Sequence, residues 1–209
     1  MPSRAEIAEQ DRYQLMRQRD FRVAADAVAA ALSEIDEVGA IALFGSVARP
    51  LARVVQFQSS RRLGIEILHE CKDVDLAVWL TRIDRLHDLS RARGRAAAKL
   101  FPATGIGVAH HQVDIFLFAP DHNRYLGRLC YFAQCPKGKP ACRVEGCGAT
   151  PFLQQHENFV LAADALSAAV NLFNRRRGAR SNASDFRSEG RTAGSEVEMV
   201  AGRLYPRSR

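Results

Sequence analysis

Apolar positions recur along this chain in two rhythms, and each change of rhythm marks an element. Over residues 4 to 37, Ile7, Leu15, Phe21, Val23, Ala24, Val28, Leu32 and Ile35 are interleaved with Arg, Glu, Asp and Gln, which predicts a long amphipathic helix. Three short, dense apolar runs follow. They are Ile41-Ala42-Leu43-Phe44, then the run from Val74 to Leu80, then the run from His111 to Phe118. Their length and their branched and aromatic content read as buried strands. Leu86 to Leu100, rich in Ala and Arg, reads as a crossover helix between the second and third runs, weakened by Gly94. Phe152 to Phe173 predicts a further helix, with Phe159, Val160, Leu161, Leu166, Val170 and Leu172 on its apolar side. The expected class is α/β, a mixed β-sheet flanked by helices.

Composition changes this picture mainly at its ends. A chain of 209 residues that is 47% hydrophobic can bury a sizeable core as one domain with appendages. It has no apolar run of about 18 residues, and Met-Pro-Ser-Arg-Ala-Glu-Ile lacks a signal-peptide core, so a cytoplasmic protein without a membrane partner is expected. The net charge is +7, but residues 175 to 209 hold nine Arg against four Asp or Glu and so carry five of those charges. That segment has few large apolar residues and is expected to be disordered. The remainder is only mildly basic, which weakens the argument from charge for a nucleic-acid-binding domain. The expected organisation is a helical segment over 1–37, a core over 38–125, a cysteine-rich loop over 126–150, a helix over 151–176 and a basic tail over 177–209.

The candidate chemistry lies at the ends of the three apolar runs. Gly45-Ser46 follows the first, Asp73-Val74-Asp75 opens the second, and Asp114 sits within the third. Side chains alternate along a strand, so Asp73 and Asp75 share a face. Two like charges held together need a proton or a cation, and oxygen-only ligands favour a hard divalent ion such as Mg2+ or Mn2+. An isolated Asp-x-Asp is more often a turn or cap; the agreement of three sites is what shifts the reading.

The order of these elements resembles the nucleotidyltransferase superfamily that includes DNA polymerase beta, and most closely its small bacterial members, the minimal nucleotidyltransferases. That pattern is a strand ending in Gly-Ser, a helix, a strand with Asp-x-Asp and a later strand with one more Asp; Gly45, Ser46, Asp73, Asp75 and Asp114 match it in order, within residues 35 to 118. The resemblance implies that Asp73 and Asp75 hold the metal gripping a nucleoside triphosphate and that Asp114 joins them on a second metal, activating an acceptor hydroxyl. It further implies that Ser46 bonds a phosphate, that Gly45 lets the backbone approach it, and that Arg49 adds a charged contact. Two departures are visible. Pro50 follows Arg49, disfavouring helix there, and twenty-six residues separate Ser46 from Asp73. This insertion carries Arg53, Arg61 and Arg62 among Leu51, Val54, Val55, Phe57 and Leu63, and reads either as an amphipathic helix over the site or as a solvated segment.

A second constellation is Cys130, Cys135, Cys142 and Cys147, in a stretch short of core-forming residues. Four thiols within eighteen residues suit a structural zinc site, with His156 as an alternative ligand if Cys130 is buried in the apolar run around it. The bland alternative is a loop with scattered thiols. Cys71 is expected in the core, and His110 is expected on the face of Asp114 as a hydrogen-bonded residue.

Two functional classes follow. The first is a metal-dependent nucleotidyltransferase moving a nucleoside monophosphate from a nucleoside triphosphate to a small molecule, protein or RNA; minimal members often act as antitoxins that modify a partner toxin. The second is a non-catalytic module on the same scaffold, binding nucleotide, a protein, or nucleic acid through the Arg-rich tail.

Overall fold

The computed structural model describes residues 2–55, 64–120, 124–132, 134–135, 150–155, 160–162 and 164–175. Ser3 opens the first helix, α1 (Arg4–Ser33), by reciprocal capping: the Glu6 amide donates to Ser3 Oγ and the Ser3 amide to the Glu6 carboxylate. Asp11, Gln14, Gln18, Phe21, Ala25, Val28 and Leu32 are all buried, and their spacing of three and four residues forms one continuous stripe. The stripe keeps its period but changes chemistry halfway. Its second half is apolar and packs on the sheet; its first half is polar and packs on loop backbone. Leu15, expected on the apolar side, falls off this stripe and is 53% exposed.

Strands β1 (Val38–Phe44), β4 (Val74–Leu80), β5 (Val113–Phe118), β6 (Tyr125–Leu129), β7 (Leu153–Gln154) and β8 (Val170–Asn174) make one sheet in the order β7-β6-β5-β4-β1-β8. Only β4 and β5 are parallel; every other pairing among the described residues is antiparallel. That parallel pair needs a crossover, which α3 (Leu86–Thr104) supplies. Ile41, Val74, Leu76, Val78, Val113, Ile115 and Leu117 lie in the core shared with α1 and α3, each with no measurable exposure. Burial of each such side chain contributes about 1.5–3 kcal/mol. The opposite face carries Phe44, Ala77 and Phe118, packed by Leu161, Leu166 and Ala169.

Three expectations need correction. Residues 151–176 do not form a helix where described: β7 and β8 take the two sheet edges instead. Val-Asn-Leu-Phe-Asn has poor helix formers in its two asparagines and β-prone residues between them, and the open edge of β1 offers hydrogen bonds that a helix there would leave unmade. The sheet also crosses the expected boundary at residue 125, because β6 pairs with β5. His110 lies in a 3-10 turn, His110–Gln112, ahead of β5, so strand alternation with Asp114 does not apply to it.

The insertion's described ends, β2 (Arg53–Val54) and β3 (Ile67–Leu68), form a small antiparallel pair rather than a helix. Asp11 of α1 clamps them, accepting from Arg53 Nη2 at 2.6 Å and from the Leu68 amide at 2.8 Å. Phe57, Arg61, Arg62 and Leu63 lie outside the described residues, as do Cys142, Cys147, His156 and the tail after Arg175. No helix among the described residues is long and apolar enough to cross a membrane.

Candidate functional site

Strand register assembles the carboxylates. β1 places Phe44 opposite Asp75, and β4 places Asp75 opposite Asp114. Neighbouring strands are about 4.8 Å apart, so the two carboxylates stand side by side at one end of the sheet. Asp73 lies two residues before Asp75, just ahead of β4, and its charge acts on both Asp75 and Asp114.

Gly45 turns the chain away immediately beside this pair. Its φ is 72°, in the left-handed region that favours glycine, and a β-carbon there would overlap Asp75 Oδ2. The helix that follows, α2 (Gly45–Ala48), stops after four residues; Arg49 is extended at φ −101°, ψ 156°, as Pro50 demands. Ser46 is in hydrogen-bonding contact with the thiol of Cys71, which is buried as expected and whose pKa is pushed up by that burial.

The polar half of α1 fixes this turn. Gln18 Nε2 donates toward the carbonyls of Ser46 (3.3 Å), Val47 (3.4 Å) and Arg49 (2.6 Å). Arg22 Nε donates to the Val47 carbonyl at 3.0 Å, and Arg17 Nε to the Cys71 carbonyl at 3.1 Å. Such buried carbonyls lose about 1–3 kcal/mol each when a donor is removed and water cannot enter. Gln18→Leu is therefore expected to lower the urea midpoint by an equivalent of about 1–3 kcal/mol with an unchanged m-value. An unaltered midpoint would show that Gln18 does not hold the turn.

The electrostatics follow from burial. The Asp75 carboxyl is pushed up to about 7, first by desolvation and then by the charges of Asp114 and Asp73, with Arg128 opposing. Asp114 is also raised, again chiefly by burial, although Arg128 pulls it down. Arg128 on β6 reaches Asp114 directly, Nη1 to Oδ2 at 3.1 Å, while its own Nε is buried without a hydrogen-bond partner among the described residues. Gly127 permits this placement: with φ 148°, it lets the backbone of β6 approach Leu153 and Gln154 more closely than a β-carbon would allow. Arg93 of α3 is 1% exposed and donates to the Cys130 carbonyl at 2.8 Å and the Val113 carbonyl at 3.4 Å, tying the helix to the strand that bears Asp114.

The structure thus gathers Gly45, Ser46, Asp73, Asp75 and Asp114 around the ends of β1, β4 and β5. The Arg49 side chain is exposed, and only its backbone carbonyl is engaged by Gln18. Cys130 is buried and Cys135 half-buried. Among the described residues, no group of three or more His, Cys, Asp or Glu stands ready to hold a metal ion. The charges of Asp114 and Asp73 act on Asp75 without the three closing into a cage. As a donor set they are hard oxygen only, which suits Mg2+ rather than a softer metal.

Arg128, Arg93 and Gln18 were not singled out from the sequence. A lone cation within Tyr-Leu-Gly-Arg-Leu is a weak signal for a strand residue facing a carboxylate. The three-four spacing of Asp11, Gln14 and Gln18 with Phe21 was a stronger one, since it extends the apolar stripe into polar residues. Comparison with known proteins finds no match: no family model, no curated protein and no solved structure resembles the chain closely enough to be assigned.

Proposed function

We propose that the protein is a metal-dependent nucleotidyltransferase of the DNA polymerase beta-like class, with Asp73, Asp75 and Asp114 as its metal-binding carboxylates. The observation that carries this reading is the register of Asp75 against Asp114 beside the Gly45 turn. The order along the chain of the strand leading into Gly45-Ser46, the strand of Asp75 and the strand of Asp114 also supports the resemblance in the sequence. Asp73, Asp75 and Asp114 would hold a divalent ion, which would supply positive charge to offset that of the carboxylates and of a triphosphate.

The chain's own residues supply the rest. Gly45 keeps the backbone thin where a phosphate would approach, and the α1 side chains Gln18 and Arg22 hold that backbone still. Arg128 offsets the Asp114 charge and would be available to triphosphate oxygens once that charge is otherwise neutralised. In the transfer, the acceptor oxygen bonds to the α-phosphorus, the bond to the β-phosphate oxygen breaks, pyrophosphate leaves, and the acceptor proton passes to a carboxylate or water. The acceptor class, whether small molecule, protein or RNA, is open in this proposal.

The Arg128–Asp114 ion pair is the one observation that favours a second reading, a non-catalytic module whose third carboxylate is already neutralised. Label transfer decides between them. With each α-phosphate-labelled nucleoside triphosphate, Mg2+ or Mn2+ and host lysate, the enzyme reading expects a labelled acceptor with wild type and none with Asp73→Asn/Asp75→Asn. Absence of label with all nucleotides would favour the binding module.

A further inference from the structure

The sheet face that bears Asp75 and Asp114 also carries a cavity of about 670 Å3 at its other end. Along β4, residues 75, 77 and 79 share this face, so Trp79 lies about 13 Å from Asp75 at roughly 3.3 Å per residue. The two places are not continuous. Between them Ala77 is fully buried and Phe44 is 6% exposed, with Leu161 and Leu166 packed against that cluster. The cavity is therefore separate from the carboxylates, and the inference drawn from it does not rest on the nucleotidyltransferase reading.

Its lining is specific in shape and in chemistry. Gly39, Ala40 and Ala42 project little or nothing from β1, leaving a flat floor beside the Trp79 indole, which stacks on Phe118 with centroids 5.3 Å apart. A flat floor flanked by an indole accepts a planar ring better than a branched or chain-like ligand. Polar groups stand at the rim. Thr81 Oγ1 donates to the Glu37 carbonyl and so presents its oxygen as an acceptor, while Asn171 offers a carboxamide with paired donor and acceptor. That pair matches the ring nitrogen and exocyclic amine on one edge of adenine.

Charge narrows the ligand further. Among the described residues no acidic side chain lines the cavity, and Arg175 is its one charged group. The guanidinium is held in place by donation from Nε to the Val38 carbonyl (3.0 Å) and from Nη2 to the Ser33 and Ile35 carbonyls (both 2.9 Å). Among the described residues these bonds do not use Nη1, and because Arg175 lines the cavity its guanidinium can offer a donor to an anionic substituent. The volume lies within the range of about 300–1,000 Å3 typical of small-molecule sites.

We infer that this cavity is a small-molecule site distinct from the carboxylate centre, taking an adenine-type purine with its ring against Trp79, its polar edge at Asn171 and any phosphate toward Arg175. Trp79 is the chain's single tryptophan, so its emission reports on the cavity alone.

The test is a fluorescence titration of the full chain with adenosine and with adenosine monophosphate, in EDTA to remove metal-assisted binding at the carboxylates. Saturable quenching is expected below about 1 mM, and Ala40→Leu, which fills the floor without touching the core, should weaken both probes about tenfold or more. Asn171→Asp should weaken the monophosphate more than the nucleoside. Asp75→Asn should change neither, so failure here and failure of the nucleotidyltransferase reading are told apart. Absence of saturable quenching, or quenching that survives Ala40→Leu, overturns the inference. So does an adenosine response seen only after removal of residues 180–209, which would make this chain's own C-terminal segment the occupant.

Discussion

Replacing Asp75 by Asn is expected to stabilise the metal-free protein at neutral and alkaline pH while abolishing transfer. Burial and the charges of Asp114 and Asp73 push the Asp75 carboxyl up to about 7, whereas in the unfolded chain it titrates near its ordinary value of about 4. The folded state therefore holds a proton that the unfolded state has lost between about pH 4 and pH 7. Stability falls as pH rises through that window and levels off above it, because both states are then ionised. Ionising Asp75 in the native state costs on the order of 3–4 kcal/mol at pH 8, a cost that Asn does not carry.

In EDTA, wild type and Asp75→Asn should melt close together at pH 4 and diverge by about 5–10 °C at pH 8, the variant being higher. Mg2+ should raise the wild-type melting temperature at pH 8 and leave the variant unmoved. Transfer should fall at least about a thousandfold in the variant, since several kcal/mol of charge stabilisation are lost with the ligand. A variant less stable than wild type at pH 8 would show that the carboxylate is not held against its charge.

The second large effect is expected at Gly45, which carries no chemistry of its own. Gly45→Ala forces a residue with a β-carbon to hold φ near 72° and drives that carbon into Asp75 Oδ2. The left-handed conformation alone costs about 1–2 kcal/mol. Displacing a half-buried carboxylate that strand register holds beside Asp114 brings the expected loss to about 2–4 kcal/mol by chemical denaturation. Transfer should be lost as fully as with Asp75→Asn, although all three aspartates remain. The collision can be separated from the backbone term, because Asp75→Ala removes the carboxylate atoms that the introduced methyl group would meet. A double-mutant cycle of these two changes should show a coupling of about 1–2 kcal/mol in the sense that each change relieves the other. Simple additivity would mean that the turn moves away from β4 at little cost.

Elements with a single strong period were legible from the residues. The runs ending at Phe44, Leu80 and Phe118 are dense enough in branched and aromatic residues to be strands, and they are. Leu86 onward formed the crossover helix despite Gly94, because a parallel pair requires a connection of that length. Pro50 disfavours helix at Arg49, and α2 ends at Ala48. Residues 152–173 misled because the apolar positions there satisfy helical spacing while Val170, Leu172 and the residues alternating with them also satisfy a strand; the vacant edge of β1 decided between the two.

For the candidate site, the sequence singles out carboxylate positions but not their mutual geometry. Asp73 falls just ahead of β4 rather than within it, so its charge reaches Asp75 through closeness in the chain and not through strand alternation; the facing of Asp75 and Asp114 depends on the register between two strands separated by a helix, which no local pattern encodes. Arg128 depends on one further pairing, that of β6 with β5. Gln18 is a tertiary effect of another kind. A polar residue on a buried helical stripe has a reason only when the carbonyls of Ser46, Val47 and Arg49 are brought to it.

The most direct test of the carboxylate centre is Mn2+ binding followed by electron paramagnetic resonance, with a non-hydrolysable nucleoside triphosphate present, for wild type, Asp75→Asn and Asp114→Asn. A cation site built on the facing pair predicts saturable loss of the free-ion signal with wild type and a loss weakened about a hundredfold or more in each variant. Equal Mn2+ binding by all three proteins would contradict it, and would leave the Asp114–Arg128 ion pair as the purpose of the third carboxylate.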